Sequence, residues 1–319
     1  MEKNSTQKLI VSSSPHIKSG RSTRRIMLDV IIALIPALVA GCIIFGLRAL
    51  AVTAACVASA VLAEILFNVI CKREHTIDDL SAVVTGMLLG MNLPAALPIW
   101  QAAVGSAFAI VVVKCLFGGL GKNFANPAIT ARVMMLIAFT DSMTKQVLPI
   151  RDYPLPDAVT AATPLAELSK GILPNKSIID MLLGLRGGAL GETCIIALVL
   201  GGFYLLVRKV ITWHTPVMFI GGVYLLSLLV YGDPMFALYM LLSGGVFIGA
   251  IFMATDYVTT PTTAWGKVIF GLGCAVLTVV IRRWASYPEG VSFSILLMNI
   301  LTPYIEKATL KKPLGEVKA

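Results

Sequence analysis

Charge is what this sequence has least of. Only 13% of its 319 residues are Asp, Glu, Lys or Arg, about half the ~25% of a soluble domain, which excludes an ordinary water-soluble enzyme. Histidine occurs three times, as His16, His75 and His214 in separate polar segments, so a metal held by clustered imidazoles is not expected. The six cysteines (Cys42, Cys56, Cys71, Cys115, Cys194, Cys274) stand singly with no C-x-x-C pair. That argues against a disulfide framework, a zinc site, and a haem or iron–sulfur site held by this chain alone. A G-x-G-x-x-G fingerprint following a strand is missing too, so a dinucleotide would have to bind elsewhere.

What the chain has is apolar length. Residues of the AVILMFWYC set make up 57%, mean hydropathy is +0.85, and several apolar runs are long enough for a hydrocarbon core of ~30 Å. The reading is an all-α polytopic membrane protein solvated by lipid. Apolar runs near 26–47, 49–70, 80–95, 98–117, 125–141, 190–207, 216–231, 235–253, 266–281 and 290–305 predict about ten transmembrane helices. The first run exceeds a signal-peptide core and is expected to stay.

The formal charge of +9 sits mainly in two tails: six Lys or Arg against one Glu in residues 1–25, and four Lys against two Glu in 306–319. Basic flanks beside apolar helices set orientation, so both tails are predicted to be cytoplasmic, as an even span count requires. The basic pI is explained without nucleic acid. Arg282 and Arg283 are the exception, since they fall at the outer end of a span. Domain boundaries follow: a basic tail over 1–25, a first membrane half over 26–141, an external loop over 142–189, a second membrane half over 190–305 and a basic tail over 306–319.

Two spans are interrupted. Thr85 to Gly90 runs into Asn92-Leu93-Pro94, and Ser243-Gly244-Gly245 precedes Met253-Ala254-Thr255-Asp256. Backbone freed at such breaks is tolerated only inside protein or against a polar ligand. Five spans on each side of the loop predict an inverted repeat of five plus five with broken helices. By itself that architecture also suits a channel or secondary transporter for a small solute, the competing reading.

Chemistry concentrates in few places. In the long loop, Asp157-Ala158-Val159-Thr160-Ala161-Ala162-Thr163-Pro164 reads locally as a helix N-cap at Thr163 followed by Pro at the first helical position. Asn123, Asn126, Thr255, Asp256, Thr259 and Thr260 are polar beside membrane helices and need partners, either one another as caps or a cofactor. Asp29 and Glu64 lie within the first two spans and are candidates for a cation or proton path, Asp29 alternatively resting at the interface beside Arg25. Catalytic groups acting on a substrate are not recognised.

The same heptapeptide resembles the flavinylation motif Asp-x-x-Ser/Thr-x-Ala-Thr of the membrane subunits of Rnf and Na⁺-translocating NADH:quinone reductase complexes, matched at Asp157, Thr160, Ala162 and Thr163. The resemblance extends through Ser14-Pro15-His16, Ile26 to Ala37, Gly118-Gly119-Leu120-Gly121-Lys122-Asn123-Phe124-Ala125-Asn126-Pro127-Ala128 and Met253 to Pro261. In length it is similar to the Rnf D-type subunits more than to the longer B-type subunits of the quinone reductase. It implies a urea-transporter-like fold, FMN joined to Thr163 by a phosphodiester, and a second, non-covalent riboflavin. It further implies an FMN transferase for maturation, other Rnf subunits as partners, and ferredoxin and NAD reached through those subunits. The expected function is electron relay in the cell membrane coupled to Na⁺ or H⁺ movement, and the heptapeptide discriminates it from a pure transporter.

Overall fold

The computed structural model describes residues 22–73, 76–147, 149, 163–192, 194–285 and 289–310. Among these the chain is helical, without a strand. In order come α1 (Thr23–Phe45), α2 (Leu47–Ile70), α3 (Ser81–Met91), α4 (Ile99–Phe108), α5 (Pro127–Ala138), the short α6 (Thr140–Thr144), α7 (Pro164–Ser169) and α8 (Ile178–Leu183). Then follow α9 (Ile195–Val207), α10 (His214–Tyr231), α11 (Pro234–Leu242), α12 (Val246–Ile248), α13 (Ala264–Trp284) and α14 (Val291–Thr309). α4 runs on as a π-helix over Ala109–Cys115, and α12 as another over Gly249–Met253.

Every apolar run of the sequence contains helix. α1, α2, α10 and α13 are long and apolar enough to cross a membrane, making four, or five if α11 and Val246–Met253 count as one span bent by 65°. This is a multi-pass membrane protein. Ile43, Leu47 and Leu229 are 76%, 82% and 80% exposed, a surface suited to lipid tails and not to water. The four tryptophans are all exposed and stand at helix ends, Trp100 and Trp284 at one end of the bundle, Trp213 and Trp265 at the other. Amphipathic rings collect at the two membrane–water interfaces in this way.

Packing relies on small residues. α2 lies against α3 and α4, α10 against α11 and α13, and α1 against α9. A Cβ on Gly201 would come within 2.2 Å of the Ala33 carbonyl oxygen, and one on Gly86 within 2.7 Å of Val57 Cα. Without an apolar driving force between helices, such close backbone approach supplies the dispersion contact. The sharp break after α11 falls at Ser243-Gly244-Gly245, where Gly244 takes φ +70°, a conformation that L side chains rarely adopt.

Candidate functional site

The structure divides the sequence-predicted site residues between two ends of the bundle. Asn123, Asn126, Thr255 and Asp256 converge on one cavity of about 90 Å³, floored by apolar groups including Met27, Val30, Leu88 and Phe252. Both π-helices run into it, one bringing Lys114 and the other Phe252. Its lining continues through Val210, Ile211, Thr255 and Tyr257 into an adjoining cavity of about 240 Å³ bordered by Thr212, Thr215, Thr260 and Lys267.

Much of the polarity here is locally satisfied. Asn126 caps α5, its Oδ1 accepting from Ala128 N at 3.0 Å and Ile129 N at 3.4 Å, while its Nδ2 donates to Met253 O at 3.4 Å. Thr255 Oγ1 donates to Ile251 O at 2.6 Å. Thr259 stands behind the cavity and donates to Asp256 Oδ2 at 3.1 Å. Burial pushes the Asp256 carboxyl above its ordinary range, against the Thr259 hydroxyl and the N–H groups of Val258 and Tyr257. Asn123 Oδ1 is buried and without a partner among the described residues, so it is the group here that a ligand would satisfy.

At the same end Lys114 and Glu64 form a buried ion pair at 2.7 Å, with 2% and 1% of their side chains exposed. Lys114 also donates to Ser81 Oγ at 2.6 Å, and Thr76 Oγ1 donates to Glu64 Oε1 at 2.6 Å. The pairing gives Glu64 a fixed internal partner. Asp29 accepts from Tyr204 Oη at 3.0 Å and Arg208 Nη2 at 3.1 Å, so its ionic partner comes from the end of α9 and not from Arg25.

Thr163 belongs to the other end. From Asn126 to Leu136, which lines the second site, α5 advances about 15 Å at 1.5 Å per residue. Thr163 Oγ1 accepts from Ala166 N at 3.2 Å and caps α7, with Pro164 at the first position, as the local sequence reading has it. α7 is docked: Leu165 and Leu168 are buried with Phe236, Met240 and Leu242 of α11. Thr163 borders a cavity of about 250 Å³ together with Gln146, Arg186, Gly187, Glu192, Gly244 and Glu289. Asp157 and Thr160 lie outside the described residues.

Behind this cavity sits a cluster of charge that sequence reasoning missed. Arg132, from the middle of α5, donates to Asn92 Oδ1 at 2.7 Å and is paired with Glu289, while Glu192 Oε2 lies 3.9 Å from its Nη2. Arg186 donates to Glu192 O at 2.9 Å. Arg282 donates to Met240 O and Ser243 O, the carbonyls that the break in α11 leaves open. Arg282 is therefore the internal cap of the broken helix. Arg283 rests over the Tyr231 ring at 5.9 Å. Glu192 and Glu289 thus bring two carboxyl groups to the one Arg132 guanidinium. Burial lowers Arg186 to about 10, still protonated at neutral pH. One signal could have found the cluster: an arginine at position 132 and a glutamate at 192 within apolar runs must pair inward, and the breaks at 92 and 243–245 are the open polar groups available.

These features define a multi-pass helical membrane protein with two polar cavities at opposite ends of a bundle of broken helices. The chain belongs to the NQR2, RnfD, RnfE family, whose profile matches residues 10–315. It is 46% identical to the D-type subunit of the Na⁺-translocating ferredoxin:NAD⁺ oxidoreductase complex of Acetobacterium woodii, over 97% of this chain and 96% of that one. It is 42% identical to the D-type subunit of the proton-translocating ferredoxin:NAD⁺ oxidoreductase complex of Clostridium ljungdahlii, over 94% of both. With the D-type subunit of the ion-translocating oxidoreductase complex of Stutzerimonas stutzeri it shares 37% identity over 92% of both chains.

Proposed function

We propose that this chain is the D-type membrane subunit of an ion-translocating ferredoxin:NAD⁺ oxidoreductase complex, relaying electrons through a flavin tethered at Thr163. Family membership over residues 10–315 carries the assembly and reaction class. The tether is carried by one observation: the only hydroxyl the family motif offers as its acceptor stands at the rim of a cavity with unsatisfied polar atoms. Glu192 Oε2 and Gln146 Oε1 border that cavity without a hydrogen-bond partner among the described residues. These residues fit FMN. The cofactor supplies one- and two-electron chemistry that no side chain has. Thr163 fixes it in place, removing the docking entropy of a free cofactor, and the docked α7 sets where the attachment lies.

The opposite cavities suit the non-covalent riboflavin: an apolar floor for a ring, Asn123 Oδ1 to be satisfied, and a threonine-lined extension for a polyol. The breaks that by themselves suit a solute channel are filled by Arg132 and Arg282, which favours the relay reading.

Ten spans arranged as an inverted repeat, with the loop over 142–189 outside and both tails in the cytoplasm of the cell, complete the reading. Helix neighbours support it, because matching α1–α5 with α9, α10, α11–α12, α13 and α14 turns the pairs α2·α3, α2·α4 and α4·α5 into α10·α11, α10·α13 and α13·α14. The pairs α1·α9 and α5·α14 map onto themselves, as contacts across a two-fold axis must.

Mass spectrometry of the 152–170 peptide, from cells with and without a family FMN transferase, tests the tether. Thr163→Ala should abolish covalent FMN while the protein still inserts, since the lost cap costs only about 0.5–2 kcal/mol. Thr160→Ala should leave attachment intact. Unmodified Thr163 in active complex would sink the assignment.

A further inference from the structure

Glu192 and Glu289 are two carboxyl groups at one cavity, and both face the same nitrogen, Arg132 Nη2. Two carboxyls gathered at one guanidinium nitrogen in a buried site repel each other when both are ionised, so one of them is favoured to carry a proton. The charged groups that face the pair come from three parts of the chain. Arg132 of α5 pairs with Glu289 and lies 3.9 Å from Glu192 Oε2. Arg186, in the segment after α8, donates to the Glu192 carbonyl. Arg282 of α13 holds the adjoining break, where a Cβ on Gly244 would meet its Nη2 at 2.8 Å and one on Gly245 would meet Glu192 Oε2 at 3.5 Å. Glu192 is 8% exposed, and its Oε2 has no hydrogen-bond partner among the described residues. An orphaned, buried carboxyl oxygen bordering the cavity shared with Thr163 points to a ligand atom that exchanges a proton.

We propose that Glu192 and Glu289 hold one proton between them and deliver it, across the cavity they share with Thr163, to the tethered flavin as that flavin is reduced. This rests on the attachment at Thr163 proposed above. Two electrons, arriving singly from a reduced iron–sulfur carrier that is oxidised twice, enter the ring together with one proton at N5. The O–H bond of the pair breaks and the N–H bond forms. The pair is left doubly ionised beside Arg132, Arg186 and Arg282, whose three positive charges make that state accessible, and water at the mouth of the cavity refills it. Reoxidation returns the proton by the same path. Glu192 is then placed by burial and Glu289 by its bond to Arg132.

The test uses the purified complex carrying Thr163→Ala, Glu192→Gln, Glu289→Gln or Glu192→Asp. In the flavin-free Thr163→Ala complex, infrared spectroscopy should show the carbonyl stretch of a protonated carboxyl that titrates above the ordinary carboxylate range. Adding Glu192→Gln or Glu289→Gln should remove it. In flavinylated complex, the proton uptake that accompanies flavin reduction should slow by about 10²-fold or more in Glu192→Gln, the usual contribution of a positioned acid, and Glu192→Asp should recover most of it. A titrating band that is missing from the flavin-free complex, or wild-type proton uptake with an unchanged pH profile in Glu192→Gln, overturns the proposal. Absence of FMN mass on Thr163 would sink the attachment itself, whereas FMN present with normal kinetics in Glu192→Gln would sink the proton pair alone.

Discussion

Replacing Lys114 by Met removes the only cation bonded to Glu64 among the described residues, and the structure lets the cost be worked out. Glu64 is 1% exposed; its Oε1 would keep the Thr76 hydroxyl, and its Oε2 already lacks a partner among the described residues. Ser81 Oγ would lose a donor as well. Breaking a buried pair by taking away one member costs about 3–5 kcal/mol, because a charge is left buried and uncompensated. That is a factor of at least a hundred in the unfolding constant, at about 1.4 kcal/mol per tenfold. Glu64→Gln should cost a similar amount by stranding Lys114. The double variant, Lys114→Met with Glu64→Gln, leaves no buried charge and should cost less than half of either single change, a coupling of more than about 4 kcal/mol. Unfolding in mixed micelles by increasing sodium dodecyl sulfate fraction, followed by loss of helical circular dichroism, measures all four proteins. A double variant as unstable as the sum of the singles would refute the reasoning, since the residues would then act through shape and not through charge.

Arg282→Met should open the carbonyls of Met240 and Ser243 at the break, at about 1–3 kcal/mol for each unsatisfied group, seen as faster proteolytic cleavage near 243–245; Arg282→Lys should restore part of the protection. Burial holds the Asp256 carboxyl above its ordinary value, so the folded chain keeps a proton that the unfolded chain releases near pH ~4. The stability tied to that proton is present below the unfolded value and is lost as pH rises through the window up to the folded one, and a micellar unfolding series across pH should be flatter in Asp256→Asn. A reporter fused after Lys318 should be cytoplasmic and one inserted near Lys170 external; a cytoplasmic loop would reverse both the orientation and the side on which flavin is loaded.

The positions of the helices were legible because lipid leaves few choices. A run of apolar residues in a bilayer must satisfy its backbone internally, so the ten intervals read from hydropathy all contain helix. Lengths were less legible: α3, α5 and α9 are each shorter than the run that announced them, because the run continues through breaks and loops that are apolar for packing reasons. The 65° bend at 243–245 was foreshadowed by Ser-Gly-Gly, but nothing in that tripeptide says which side chain will cap it. The answer lay 39 residues further along, in Arg282.

The site shows the same division between local and distant information. Asn126 and Thr163 were readable as caps because capping is a matter of three adjacent residues, and both accept the backbone N–H groups that their positions imply. That Asn123, Asn126, Thr255 and Asp256 share one cavity depends on two loops about 130 residues apart meeting beneath α1, which no local pattern contains. The cluster around Arg132 is the sharper case. Its members come from α5, the segment between α8 and α9, α13 and the residues before α14, and Arg132 and Glu192 each look like an isolated error in an apolar stretch. A membrane protein cannot leave such errors unpaired. Each charge therefore implies another, and the partner is to be sought where the helices are broken, since only there does the backbone itself offer carbonyls to bind an arginine. Applied to this sequence, that rule leads from Arg132 and Arg282 to Asn92, Met240 and Ser243, and from them to the cavity at Thr163.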